Sequence, residues 1–394
     1  MADHDEEGGV NILASEAFAK RISRRAFMGG SVAVAFGGGA ALLAACSNGT
    51  SSSGSTGGAS AGAIEDKLNF LHWAAYDDPK LFKKFTQEFG PQTTITTYAS
   101  NEDAISKLSI AQGTGGYDIV VPTGPYIPIL VKNNLIQELD LSRIPNFKNL
   151  DPKFRNQSWD PNNAHSVTKD WGTVGWIYDK SQISRPIKTW SDFIDVAMHE
   201  ASGNVSLLNA QNEVMGMYFW ANGIDWTTTD PANLDAYEAW TKEMAPHVKS
   251  FESYPGYQFA SGNWALSHVW NGDARQGFNS FKDPSRYAWG LGAPNTELWM
   301  DNWTIVQGAP HPNAAYAFLN FILDPKNSLQ DLEFHGYNTG LTGIEDAAKA
   351  AGVTYPDMIF FDDAQLATMH PQVINDAFER EVQIFTNMTA AAGG

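Results

Sequence analysis

From Lys67 onward, short apolar runs alternate with segments of helical period, and this alternation restricts the fold more than any other feature of the chain. Leu68-Asn69-Phe70-Leu71-His72-Trp73 reads as a buried strand. Asp78-Pro79 then supplies an N-cap and an N1 proline for a helix in which Leu81, Phe82, Phe85 and Phe89 share one face before Gly90 stops it. Residues 93–98 form a β-rich run, Ser100 caps a helix expected from 101 to about 112, and 117–122 reads as a second buried strand ending at a Pro/Gly turn. Further along, Asp230-Pro231 opens a helix with Leu234, Tyr237 and Met244 inward. His311-Pro312 opens another, carrying Phe318, Leu319, Ile322 and Leu323, which Asp324-Pro325 is expected to end. Such alternation predicts an α/β fold with mostly parallel sheets, whose ligand crevices lie at the carboxyl ends of strands. With 394 residues there is chain enough for two domains, each with its own core.

The strand ends are where chemistry-bearing residues collect. Trp73 and Tyr76 follow the first strand, Thr123 and Tyr126 follow 117–122, and Asn209 to Glu213 follow the run 205–208. Trp270 ends a run from Ala265, while Trp299 and Asp301 flank the Met300 that leads into 303–306. One crevice would gather them all. Any single ring at a strand end is more often core than pocket, and a lone acid is usually solvated. With 13 Trp, 13 Tyr and 22 Phe, however, the chain has rings to spare for a pocket wall. The formal net charge of -18 excludes a nucleic-acid partner, which requires a basic footprint, and suits a cationic ligand better.

The amino-terminal region carries export signals. Lys20, Arg21, Arg24 and Arg25 precede an apolar run through 32–43, and Ser23-Arg24-Arg25-Ala26-Phe27-Met28 resembles the twin-arginine pattern. Leu43-Ala44-Ala45-Cys46 resembles a bacterial lipobox, with cleavage before a cysteine that becomes lipidated. A transmembrane anchor is excluded because five glycines break the run and a polar tract follows it. Residues 1–45 are therefore expected to be a signal peptide. Residues 46–64 are expected to be a Ser/Gly linker tethering the body to the outer face of the cytoplasmic membrane or in the periplasm. Cys46 is the sole cysteine, so an intramolecular disulfide, a Cys zinc site and thiol catalysis are all excluded. Removing residues 1–45 takes away four Lys/Arg and five Asp/Glu, leaving 22 basic and 39 acidic residues and a net charge of -17.

A family resemblance rests on specific pieces. These are Phe85-Thr86, Thr97-Tyr98-Ala99-Ser100-Asn101-Glu102, Tyr117-Asp118-Ile119-Val120-Val121-Pro122 and Asn146-Phe147-Lys148-Asn149-Leu150-Asp151-Pro152. Further pieces are Trp171-Gly172-Thr173, Trp270-Asn271-Gly272, Trp299-Met300-Asp301, Asn320-Phe321-Ile322-Leu323-Asp324-Pro325 and Gly336-Tyr337. In these the chain resembles bacterial spermidine/putrescine-binding proteins over nearly all of its mature length. The resemblance implies a two-lobed periplasmic-binding-protein fold with a hinge and a ligand cleft, the chain crossing between lobes near 171–178 and 298–303. It divides the chain into 65–173 with 302–345 as lobe 1, and 174–301 with 346–394 as lobe 2. By matching position the cleft residues are Trp73, Tyr76, Thr123, Glu213, Trp270, Trp299, Asp301 and Tyr337, with Tyr126 and Asn209 standing beside positions that depart from the family.

The resemblance further implies a polyamine ligand, ABC permease subunits as partners, a monomer, no cofactor and no catalysis. Carboxylates for ammonium groups and flat rings for methylenes and cation-π attraction suit a polyamine. The departures are Ala74 and Ala75 in place of a Thr and a Glu, Pro125 in place of an aromatic beside Tyr126, and Ala210 in place of an acid beside Asn209. They point to fewer ammonium groups, hence to putrescine or a related amine rather than spermidine. The rival readings are a sugar receptor of the same architecture and an extracellular glycoside hydrolase using Glu213 and Asp301 as acid and base. Against the hydrolase, G-x-S-x-G, H-E-x-x-H and metal-spaced His/Cys clusters are all lacking.

Overall fold

A computed structural model describes residues 62–110 and 115–392. The signal-peptide, Cys46 and most of the linker expectations lie outside the described residues. Two five-stranded sheets organise the chain. The first contains β1 (Lys67–Trp73), β2 (Gln92–Tyr98), β3 (Ile119–Val120), β4 (Ser166–Gly172) and β11 (Trp299–Ile305), in the order β2-β1-β3-β11-β4. The second contains β5 (Val174–Asp179), β6 (Val205–Leu208), β7 (Val248–Glu252), β8 (Leu266–Trp270) and β9 (Tyr287–Leu291), in the order β7-β6-β8-β5-β9. A third, two-stranded ribbon pairs β10 (Thr296–Glu297) with β12 (Met369–His370).

In each large sheet one strand runs against the other four. It is β11 in the first, antiparallel to β3 and β4, and β5 in the second, antiparallel to β8 and β9. The reason is connectivity. Strands native to a lobe aim their carboxyl ends at the other lobe, whereas β5 and β11 each begin where the chain has just crossed over, and so run away from the boundary. The expected mostly parallel sheets therefore form, and the exceptions mark the crossings. The ribbon β10-β12 marks a further crossing, which the lobe division of the sequence reading drew at 345/346.

Several local expectations need adjustment. The strand read over 117–122 is confined to Ile119–Val120, although Asp118 still pairs through its backbone with Asn69 and Val306, and the Pro122 carbonyl accepts from the Asn302 N–H. The helix Pro79–Phe89 buries Leu81, Phe82 and Phe85, but Phe89, in its last turn, is half-exposed. The helix after Ser100 is described as Asn101–Ile110, and Ser100 Oγ accepts from the Asp103 N–H as a cap should. Asp324-Pro325 does end Pro312–Ile322 and at once starts a second helix, Pro325–His335, its Asp324 side chain accepting from the Lys326 N–H. The divisions drawn at 301/302 and 345/346 fall inside β11 and inside the helix Ile344–Ala351.

Aromatic packing fills both cores. Phe318 stands against Phe70, Phe82, Phe85 and Trp303 in the first lobe, while Trp176, Trp190 and Phe193 pack together in the second. Most of the rings are thus core, and those at the strand ends remain for a cleft.

Candidate functional site at the lobe boundary

The carboxyl ends of β1, β3 and β4 and the start of β11 build the first wall. Ala75, at φ 52, turns the chain sharply after β1 and sends Tyr76 inward. Its hydroxyl lies 2.5 Å from Asp170 Oδ1 and 2.8 Å from Asp301 Oδ2, two carboxyls that sit opposite one another on β4 and β11. A phenol has one proton to donate, so it serves one of them. Asp170 is ion-paired to Lys169 Nζ at 2.8 Å. Asp301 is pushed up to about 7 by burial and by the Asp170 charge, against the lowering effect of the bonds it accepts from Thr123 and Tyr76.

Lys169 explains why Asp301 is left without a cation. It is 3 % exposed, and its Nζ contacts Asp170, Asp77 at 3.1 Å and Asp331 at 3.7 Å while lying 3.8 Å from the Tyr76 ring centre. Burial alone would lower its pKa, but the Asp170, Asp77 and Asp331 charges outweigh that and raise it. The His72 ring bonds Asp77 from the other side. This charge cluster lies under the wall and holds Tyr76 and Asp170 in place. Thr123 completes the edge, its N–H donating to Asn101 Oδ1 at 3.0 Å and its hydroxyl to Asp301. Tyr126 donates to Glu102 Oε1 at 2.6 Å.

Rings line the same wall. Trp299 meets Tyr337 edge to face at 4.7 Å, and Trp73 meets Tyr98 at 4.5 Å while its Nε1 donates to the Val121 carbonyl. Glycines make room for them. A Cβ on Gly172 would come within 2.3 Å of the Trp299 ring, and one on Gly272 within 2.4 Å of the Tyr337 ring.

The second wall comes from β6, β8 and β10. Glu213 sits in the first turn of the helix Gln211–Ala221, where the helix dipole favours an anion, and Trp270 Nε1 donates to its Oε1 at 3.2 Å. Glu297, 2 % exposed on β10, hydrogen-bonds the Glu213 carboxyl. Burial raises the pKa of both, and for Glu297 the charges of Glu213 and Asp301 raise it further. Across the boundary Tyr254 donates from the second lobe to the Ala74 carbonyl of the first at 3.2 Å. Behind it Asp273, pushed up to about 7 by burial, accepts from the Gly256 and Tyr257 N–H groups.

Tyr76, Thr123 and Asp301 are thus in direct contact, as are Trp299 with Tyr337 and Glu213 with Trp270. Tyr126 feels the Glu213 charge. Asn209 is the one that stands apart, exposed at the end of β6 and held through its backbone N–H to the Glu252 carbonyl. Sequence reasoning missed Asp170, Glu297, Tyr254 and Gln372, the last acting on Tyr126 and 8 % exposed. Asp170 directly precedes Trp171-Gly172-Thr173, and Glu297 lies two residues before Trp299, so proximity to those pieces was the available signal. The assembly presents buried carboxyls from both lobes, framed by rings. Such a cleft is built to take a cation.

Residues 80–368 match the model of the family described as bacterial extracellular solute-binding protein. The chain is 32% identical over 285 residues to the spermidine/putrescine-binding periplasmic protein of Salmonella typhimurium, spanning 71% of this chain and 79% of that one. It is 27% identical over 304 residues to the putrescine/agmatine-binding protein of Pseudomonas aeruginosa, spanning 73% and 81%. Among solved structures it is similar to the Tp0655 (TpPotD) lipoprotein of Treponema pallidum, with TM-score 0.72 and 25% identity over 82% of this chain and 99% of that one. The spermidine/putrescine ABC transporter substrate-binding protein PotD of Streptococcus pneumoniae is similar too, with TM-score 0.67 and 26% identity over 83% and 100%. With this family match over most of its length and this architecture, the chain belongs to the bacterial extracellular solute-binding proteins, the family that includes the spermidine/putrescine-binding periplasmic proteins.

Proposed function

We propose that this protein is the substrate-binding component of an ABC importer, capturing a polyamine of putrescine type in the cleft between its lobes and delivering it to the membrane permease, without catalysing a reaction. The observation that carries this is the placement of buried carboxyls on both walls, Asp301 on one and Glu213 with Glu297 on the other, with no cation assigned to them, beside Trp270, Trp299 and Tyr337. Ammonium groups supply the missing charge, and the rings take the methylenes between them. The names of the Salmonella and Pseudomonas relatives point to the same ligand class.

A sugar would leave those carboxyls uncompensated, which disfavours the sugar-receptor reading. The glycosidase reading has only the residue types of Glu213 and Asp301 behind it, whereas the similar proteins are named as solute-binding proteins. Attachment through Cys46 accords with a similar structure being a lipoprotein, and among the described residues no helix is long and apolar enough to cross a membrane. One chain furnishes both walls, in keeping with action as a monomer.

A thermal-shift screen of putrescine, spermidine, agmatine, amino acids and sugars tests the reading, since a ligand that binds only the folded state raises its melting temperature. Amines should shift it and sugars should not. In calorimetry Asp301→Asn should weaken putrescine binding by about 2 to 5 kcal/mol, the loss associated with stripping a desolvated charge pair of one partner. Unchanged affinity in that variant would sink the assignment.

A further inference from the structure

Glu297 is one of the groups at this boundary that the family resemblance did not anticipate. It lies on β10, in the ribbon that crosses between lobes, with His370 opposite it on β12. Its carboxyl faces that of Glu213, and its Oε2 is buried with no donor to satisfy it. A buried, unpartnered carboxyl oxygen costs stability unless something occupies it part of the time.

The surroundings say what that occupant is. Glu213 faces Glu297 from the helix Gln211–Ala221, and Asp301 acts on it from β11. Tyr126, which feels Glu213, is bonded to Glu102. Glu381 of the carboxyl-terminal helix reaches the start of the Glu213 helix through Gln211 at 3.3 Å, and the His370 ring is bonded to Asn295 Oδ1 at 3.0 Å. The charges acting on Glu297 are therefore all negative. Two carboxyls in hydrogen-bond contact cannot both be ionised in such a place, so one proton bridges them.

We propose that Glu297 joins Glu213 to form a second ammonium subsite on the second-lobe side of the cleft, and that the pair releases its shared proton to solvent when the cation arrives. The subsite rests on the amine reading of the cleft given above. The balance is simple: an ammonium group replaces one proton between two carboxylates, no covalent bond to carbon or nitrogen changes, and the proton leaves with the buffer. Asp301, whose pKa burial and Asp170 raise to about 7, ionises in the same way for the first ammonium group at pH 6. A diamine thus displaces protons at both ends, and a monoamine at one. Although Ala210 removes an acid from the neighbouring position, Glu297 restores the charge from a different strand, so the site keeps two ammonium positions.

The test is calorimetry of the full-length protein with putrescine and with butylamine at pH 6, in two buffers of different ionisation enthalpy, which counts the protons released. The parent should release about two protons with putrescine and about one with butylamine. Glu297→Gln, which copies the shape of the protonated carboxyl, should release about one proton fewer with putrescine and bind it at least about 30-fold more weakly. Putrescine affinity and proton count both unchanged in Glu297→Gln would overturn the subsite while leaving the amine receptor standing. Were Glu297→Gln not to fold, release of one proton or fewer by the parent would overturn it equally. A parent that binds no amine removes both the subsite and the reading on which it rests.

Discussion

At the scale of single residues the molecule separates two kinds of buried acid. Asp77 and Asp170 have Lys169, and the Asp77 pKa is held down by the Lys169 and His72 charges against the opposing effect of burial. Asp301 sits next to them and has no such partner, so its pKa rises from 3.8 to about 7. A carboxyl raised on folding stabilises the protein fully below its unfolded value, and that contribution is lost as pH climbs to the folded value. The parent should therefore lose stability relative to Asp301→Asn between about pH 4 and about pH 7, with a slope approaching about 1.4 kcal/mol per pH unit, and run parallel to it above. Urea unfolding of both proteins without ligand, over that range, measures the difference, in which the other titrating groups cancel. Parallel curves throughout would mean that Asp301 is ionised in the empty cleft. The acid itself was legible in Trp299-Met300-Asp301. Its raised pKa was not, because that depends on burial and on the Asp170 charge, which arrives from β4.

At the scale of elements the rings depend on the strands that carry them. Trp299 begins β11 directly opposite Gly172 at the end of β4, and its ring lies where a Gly172 side chain would be. Gly172→Ala would put a methyl 2.3 Å from the Trp299 ring and 2.5 Å from Asn271 Oδ1, which accepts the Thr173 N–H. Both neighbours belong to the crossing, so the ring must give way. We expect a loss of about 1 to 3 kcal/mol in stability, the range for overpacked sites, together with weaker amine binding as Trp299 leaves the cleft. Melting curves and calorimetry on that variant check it, and a fully stable protein with parental affinity would show that Trp299 does not line the ligand. The helix starts were legible for a local reason: Asp78-Pro79, Asp230-Pro231 and Asp324-Pro325 each place the capping carboxylate on the N–H two residues ahead. Strand length was less so, since pairing across the sheet depends on partners such as Asn69 and Val306 that are distant in the chain.

At the scale of the whole molecule the two lobes meet through three crossings and through Tyr254, whose hydroxyl reaches the Ala74 carbonyl. A diamine bridging Asp301 and the Glu213-Glu297 pair would bind the closed arrangement better than an open one, and only that difference in affinity can drive closure. Small-angle scattering should show the radius of gyration fall on saturation with putrescine, and an unchanged profile would contradict a bridging ligand. Attachment is a separable property, since the tract from Ser47 to Ala63 is almost wholly Ser, Gly, Thr and Ala. Cys46→Ala should shift the protein from the membrane fraction, or leave it unprocessed, with putrescine affinity unchanged. Lost binding in that variant would show that anchor and body are not independent.

The sequence by itself determined the α/β alternation, the helix caps, the export signals as a pattern, and the family pieces holding Trp270, Trp299 and Asp301. All of these are carried by residues close together in the chain, where capping, hydrophobic period and motif spacing act. Only the tertiary structure decided that β5 and β11 run against their sheets, that Lys169 is spent on Asp77 and Asp170, and that Glu297 meets Glu213. Glu213 and Glu297 are far apart along the chain, on elements joined only by the crossing ribbon. Whether two such carboxyls share a proton depends on their separation and on their distance from water, and neither quantity is written in the order of the residues.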